Sequence, residues 1–283
     1  MEHLEYIDLV STKIKELPSS IEHVEGLTKL RLSDCSELYS LPENLQKLKS
    51  LKLIRGENSA ICQLPSSITD LDQLEKLSFS GCKGLVLPPL SGISNFKELC
   101  LNDCDIREIP LDIGCLSSLE RLYLRGNNFE SLPTSIKQLS CLTSLHLSNC
   151  NMLQSLPELP LRLEFFEAKN CKQLQTLPEI PSCLEELDAS LLETPFQYSE
   201  KFLPANVEFR FNDCPKLNEK EILADSQLRI QTMAIASLKL FHVYETEFAE
   251  PPGINICFPG SRIPDWFRNQ CSGSSITIQL PPH

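Results

Sequence analysis

The stretch "LTSLHLSNCNMLQSLPEL", Leu142 to Leu159, has leucine at its first, fourth and sixth positions, cysteine at its ninth and a Leu-Pro step near its end. The same order of residues runs through "LTKLRLSDCSELYSLPENL" (Leu27 to Leu45), "LERLYLRGNNFESLPTSI" (Leu119 to Ile136) and "LEFFEAKNCKQLQTLPEI" (Leu163 to Ile180). All fit L-x-x-L-x-L-x-x-C/N-x-(x)-L-x-x-L-P. Counted from the first apolar position, units begin at Leu4, Leu27, Leu48, Leu74, Phe96, Leu119, Leu142, Leu163 and Leu184, with a degenerate tenth at Asn206, at spacings of 21 to 26 residues.

That period and pattern predict an α/β repeat: a leucine-rich-repeat solenoid with a curved parallel sheet and an irregular convex side. One unit cannot bury its own apolar face, so stacking must do it, at about 25 cal/mol per Å² of apolar surface removed from water. In the L-x-L segment alternate residues point inward, so Leu145 and Leu147 enter the core while His146 faces out. The ninth column holds Cys35, Cys82, Cys104, Cys150, Cys171 and Cys214, with Asn127 in one unit and Thr12, Gly56 and Leu192 elsewhere. A small buried side chain with some hydrogen-bonding capacity fits a turn out of the strand, which makes these thiols structural rather than metal-binding or redox-active. Proline in "LPSSI", "LPENL" and "LPTSI" lacks the N–H a ladder needs, so it stops the strand and begins the convex return. The paired prolines of "LPELPLRL" and "LPEIPSCL" favour an extended return over a helical one.

Composition excludes several function classes. A net charge of −12 among 283 residues disfavours sequence-independent binding to nucleic acid or an anionic membrane, both of which need a basic surface. No stretch reaches the roughly 18 apolar residues of a membrane-spanning helix, and "MEHLEYIDLV" lacks the basic and apolar regions of a signal peptide. N-glycosylation acceptors are missing, which points to a cytoplasmic or nuclear protein. The thirteen cysteines contain no C-x-x-C pair, and the five histidines have no metal-ligand spacing. No phosphate loop, dinucleotide turn, nucleophile elbow or H-E-x-x-H helix occurs, so neither a catalytic centre nor a cofactor is expected.

The outward positions of the strands form rows on the concave surface. With the starts given above, the third row reads Tyr6, Lys29, Ser50, Lys76, Glu98, Arg121, Ser144, Phe165 and Glu186, and the fifth Asp8, Arg31, Lys52, Ser78, Cys100, Tyr123, His146, Glu167 and Asp188. Position seven adds Arg125 and Lys169. The groove is expected to be basic first and acidic later, with aromatics at the changeover. Lys29, Arg31, Lys52, Lys76, Arg121, Tyr123, Arg125, His146 and Phe165 are the candidate protein-binding residues, since Arg and aromatics tend to supply affinity and charge sets orientation.

Three regions follow from the text: the solenoid over 1–217, a helical cap or linker over 218–250, and a small β-rich module over 251–283. "ICFPGSRIPDWFRNQCSGSSITIQLPP", Ile256 to Pro282, follows the "LPSSI" and "LxLSxC" repeat phrases. The combination resembles the C-terminal part of plant TIR-NBS-LRR disease-resistance proteins, intracellular immune receptors. The resemblance spans essentially the whole chain. It implies that Pro259, Gly260, Ile263, Pro264, Trp266 and Phe267 open the post-repeat C-terminal jelly-roll/Ig-like domain (C-JID), cut short after Leu280, in a piece of a longer receptor. It further implies pathogen-effector recognition and autoinhibition, with protein partners. The family's NAD-cleaving TIR domain and its nucleotide-binding domain have no counterpart here. A leucine-rich-repeat ubiquitin ligase or ligase adaptor is an alternative, although no cysteine is followed by x-Asp; an extracellular receptor ectodomain is a second, opposed by the missing signal peptide and sequons.

Overall fold

Three-residue strands recur along the described leucine repeats. In the computed structural model these are β1 (Tyr6–Asp8), β2 (Lys29–Arg31), β3 (Leu53–Arg55), β4 (Lys76–Ser78), β5 (Glu98–Cys100), β6 (Arg121–Tyr123), β7 (Ser144–His146) and β8 (Phe165–Glu167). Each pairs in parallel with the next in chain order, and the sheet continues through β9 (Asn206–Arg210), β10 (Gly253–Cys257) and β11 (Ile276–Ile278). The structure describes residues 4–93, 95–160, 162–176, 206–210, 214–217, 253–257 and 276–278.

The inward columns explain why such short strands hold. Position four is Leu30, Ile54, Leu77, Leu99, Leu122, Leu145 and Phe166, and position six includes Leu32, Phe79, Leu101, Leu124, Leu147 and Ala168, all buried. Burying a side chain of this size contributes about 1.5–3 kcal/mol, which offsets the ordering entropy of a rung that has few hydrogen bonds of its own.

The third rung corrects the sequence reading. Lys29 pairs with Leu53 and Leu30 with Ile54, so this unit starts at Leu51 rather than Leu48. "LKSLKL" at Leu48 to Leu53 imitates the L-x-x-L-x-L signature three residues early. Gly56 occupies the inward sixth position instead of the ninth, and the ring of Phe79 from the next rung fills the space its missing side chain leaves: a Cβ there would lie 2.5 Å from Phe79 Cε1. Ser59 then takes the ninth position, buried, with its hydroxyl donating to Gly56 O. A second correction concerns the unit expected at Leu184. Phe165 pairs with Glu208 and Phe166 with Phe209, so β9 lies directly beside β8 and no rung separates them.

Two turn devices close each rung. Position eight is left-handed throughout: Ser11, Asp34, Asn58, Gly81, Asp103, Gly126, Asn149 and Asn170 have φ between 54° and 82°. Asn, Asp and Gly tolerate this conformation, which bulky or branched residues avoid. At position nine, thiols donate to the sixth-position carbonyl of the preceding rung: Cys35 to Leu9, Cys82 to Gly56, Cys104 to Phe79, Cys150 to Leu124, Cys171 to Leu147 and Cys214 to Ala168. Asn127 fills the same place with its amide, donating to Leu101 O and Leu124 O at 2.8 Å.

On the convex side, Pro18, Pro65, Pro110 and Pro133 each precede a single 3-10 turn: Ser19–His23, Ser66–Asp70, Leu111–Cys115 and Thr134–Gln138. The fixed φ of proline suits the residue before such a turn. The described residues contain no α-helix, so the helical part of the expected α/β repeat is reduced to these turns and a shorter one at Leu45–Lys47. The helix expected over 218–250 lies outside the described residues.

Candidate functional site

The outward side chains of β1 to β8 lie on one face, and the register fixes their neighbours. Row three runs Tyr6, Lys29, Leu53, Lys76, Glu98, Arg121, Ser144, Phe165, and row five Asp8, Arg31, Arg55, Ser78, Cys100, Tyr123, His146, Glu167. Arg55 and Leu53 thus stand where Lys52 and Ser50 were expected. Lys52 sits one residue before β3, at the strand entrance, exposed and outside both rows. The 26-residue gap from Leu48 to Leu74 was the one signal of this slip, because a start at Leu51 splits the interval evenly.

The basic residues differ in their company. Arg31 is held by Asp8 at 2.8 Å and by the Tyr6 hydroxyl, which accepts from its Nη1. Glu98 Oε2 bridges Lys76 at 3.2 Å and Arg121 at 3.1 Å. Burial alone would raise the Glu98 pKa, but the hydrogen bonds and charges of Arg121 and Lys76 outweigh it and hold the carboxyl below its ordinary value. With the Asn149 amide turned so that its oxygen faces the guanidinium, Arg125 donates to it from Nε at 2.9 Å and Nη2 at 3.2 Å. Lys29 and Arg55 have no ion pair among the described residues.

Three of the aromatic candidates form a ladder across β6 to β8. Tyr123 and His146 stack with centroids 4.5 Å apart and planes 22° apart, and His146 meets Phe165 at 4.8 Å and 32°. The Ser144 hydroxyl lies 2.9 Å from His146 Nε2. Burial between the rings pushes the imidazole pKa down, with the nearby Glu167 carboxylate opposing it, so the ring is neutral at pH 7. Glu167 pairs with Lys169 at 2.7 Å. The described groove therefore does not turn acidic at its far end; Glu186 and Asp188, on which that expectation rested, lie outside the described residues. So do Pro259, Gly260, Ile263, Pro264, Trp266 and Phe267.

Between Arg55 and Tyr123 the fifth row carries only Ser78 and Cys100. A shallow depression of about 200 Å³ opens there, lined by Leu53, Arg55, Lys76, Ser78, Glu98 and Cys100 among others. That is below the 300–1,000 Å³ of a small-molecule pocket, so the face suits contact with a surface rather than enclosure of a ligand. Burial raises the thiols of Cys100, Cys104 and Cys150 to about 12, which removes the thiolate a cysteine nucleophile needs. Among the described residues no cluster of His, Cys, Asp or Glu could hold a metal ion, and no helix is long and apolar enough to cross a membrane.

Comparison with known proteins assigns the repeats to a family. Residues 1–194 match the leucine-rich repeats described as those of RPS4B-like disease resistance proteins, and residues 258–283 match the C-JID domain. The chain belongs to that family. Among relatives of this resistance-protein repeat array, the disease resistance-like protein DSC1 of Arabidopsis thaliana is 34% identical over 279 residues, covering 96% of this chain and 21% of DSC1. The TMV resistance protein N of Nicotiana glutinosa is 34% identical over 276 residues, covering 94% and 22%. The chain thus spans about a fifth of the length of these relatives. Of solved structures, the leucine-rich repeat domain of the type III effector XopL superposes with a TM-score of 0.60 at 24% identity, covering 75% of this chain and 69% of that one; this likeness concerns the fold. Leucine-rich-repeat domains of resistance proteins are generally non-catalytic and mediate protein–protein interaction.

Proposed function

We propose that the chain is the non-enzymatic protein-recognition module of a plant TIR-NBS-LRR disease resistance protein, serving effector recognition and autoinhibition in the defence response. The observation that carries this reading is the join of an RPS4B-like repeat array to a C-JID match, on an array whose outer face displays Arg121, Tyr123, Arg125, His146 and Phe165 together. The partner is a pathogen effector, a guarded host protein, or another domain of a longer receptor, met in the cytoplasm or nucleus. Residues 1–217 form the repeat unit of this proposal, 218–250 a helical cap or linker, and 251–283 the start of the C-JID module, which adds a second contact surface.

Charge and ring chemistry support a protein partner. The three outward rows of β1 to β8, positions three, five and seven, hold seven cations against four carboxylates, a net of +3 on a chain of net −12. Such a face orients an acidic partner, and the arginine–aromatic cluster supplies the anchoring contacts. The test is alanine substitution of Arg121, Tyr123 and Arg125 in the receptor that carries this segment, read by co-immunoprecipitation with its effector and by the cell-death response. Loss of partner binding, or a response without effector, is expected; an unchanged interaction and an unchanged resting state would remove the concave face from the mechanism.

A further inference from the structure

The fifth row carries an arrangement that the recognition reading leaves unused. Its side chains run Arg55, Ser78, Cys100, Tyr123, His146, large at both ends and small in the middle. The small pair floors the shallow depression, and Leu53, Lys76 and Glu98 of the third row stand along its flank. The flank is fixed electrostatically, because the single carboxylate of Glu98 is shared between Lys76 and Arg121, and Glu120 supplies a second one to Arg121 at 3.5 Å. Net positive charge is left at the Arg55 end, where Arg55 and Lys29 of the neighbouring β2 have no ion pair among the described residues and outnumber the one carboxylate there, Glu57, which keeps its charge while accepting from the Ser33 hydroxyl. The opposite end is a wall of stacked rings.

From this we infer that the trough binds an extended protein segment running across the strands, with an acidic residue at Arg55 and Lys29 and an aromatic or long aliphatic side chain against Tyr123 and His146. The inference rests on the concave face being the recognition surface, and it adds the chemistry and spacing of what is recognised. Three strand spacings of about 4.8 Å separate β3 from β6, so the two subsites lie roughly 14 Å apart. An extended chain covers that in about four residues, since each advances roughly 3.4 Å. A helix rises only about 6 Å over four residues, so the same pair on a helix would not reach. The trough has room for backbone, as its floor is a hydroxymethyl and a thiol rather than branched side chains, and the Ser78 hydroxyl can meet a peptide group. The positive end suits a carboxylate; the rings present faces that pack against a flat or aliphatic anchor.

The test uses the full 283-residue chain and fluorescein-labelled 12-residue peptides, read by fluorescence anisotropy at low salt. One peptide places a Glu pair four residues before Phe, and a second reverses that order. Saturable binding of one of the two is expected. The affinity should fall at least ten-fold, about 1.4 kcal/mol, when Lys29→Glu and Arg55→Glu are combined, when Tyr123→Ala is made, when Lys replaces Glu in the peptide, or when Phe is moved next to Glu. Lys47→Glu, on the convex side, should leave binding unchanged. The inference is overturned by equal binding of the Lys peptide, by indifference to the Arg55 and Lys29 pair, or by no saturable binding of either order at about 1 mM. It is also overturned by self-association that the same substitutions abolish, which would give the face to a second copy. If partner capture depends on Arg121, Tyr123 and Arg125 while the peptides ignore Lys29 and Arg55, the extended acidic segment is refuted and the concave-face reading stands. If neither dependence appears, both fall.

Discussion

Replacing Gly56 by alanine tests the register of the third rung, on which the placement of Arg55 in the groove depends. In the observed register the new Cβ would lie 2.5 Å from Phe79 Cε1 and 2.9 Å from Cδ1, and both residues are fully buried. The aromatic ring is itself fully buried in a close-packed core, and overpacking of this kind costs about 1–3 kcal/mol. Alanine also stiffens the unfolded chain relative to glycine, which returns about 0.4–1 kcal/mol, because Gly56 is not in the left-handed region. The net expectation is a loss of about 1–2 kcal/mol. Urea unfolding followed by circular dichroism should show it as a lower midpoint. Phe79→Leu restores the leucine usual at this column, and it should make Gly56→Ala nearly neutral in the double variant. A coupling of about 1 kcal/mol or more is expected from that cycle. If Gly56→Ala is neutral or stabilising in the wild-type background, Gly56 does not face Phe79 and the start at Leu51 is wrong.

Three further outcomes follow from the same geometry. Asp103→Val should destabilise by about 1–2 kcal/mol and Asp103→Gly by far less, since φ is 56° there and a branched side chain resists that conformation; thermal unfolding of the two variants measures the difference. Cys150→Ala, which removes the thiol donor from the Leu124 carbonyl while the Asn127 amide still donates to it, should cost about 0.5–1.5 kcal/mol in urea unfolding, with serine closer to wild type. For His146, burial lowers the folded-state pKa below the ordinary 6.5, so the unfolded chain binds the proton first as pH falls. Its contribution to stability is therefore complete above about pH 6.5 and is lost as pH drops through and below that value. His146→Phe should flatten the midpoint against pH in this window while Glu98 and Glu167 titrate lower, below their ordinary 4.5.

Much of this was readable in the chain because the repeat enforces it. A column that must be apolar in every rung writes itself into the sequence as a period, and the ninth-position thiols and the prolines before the convex turns are visible for the same reason. Tyr123, His146 and Phe165 could be placed near one another from that period, although their stacking could not. Position eight was legible in principle: its Ser, Asp, Asn and Gly are the residues that accept positive φ, and only their alignment in one column reveals why. The errors came where two registers satisfy the same signature. "LKSLKL" offers leucines at the right intervals from Leu48 and again, with Ile54, from Leu51, and local pattern cannot choose between them.

By itself, then, the sequence determined that this is a parallel repeat array with an outward face of arginines, lysines and aromatics, because periodic burial leaves a periodic record. The tertiary structure decided which outward residues are neighbours and which charges remain uncompensated. Pairing between rungs fixed Leu51 as the start of the third unit through the fit of Phe79 into the space beside Gly56, and it set β9 directly beside β8 across a long interval of chain. It also showed Glu98 shared between Lys76 and Arg121, with Glu120 beside Arg121, while Lys29 and Arg55 stay without an ion pair among the described residues. Those outcomes depend on contacts between residues some twenty or more positions apart, where the free energy lies in the match of two side chains and not in either one alone.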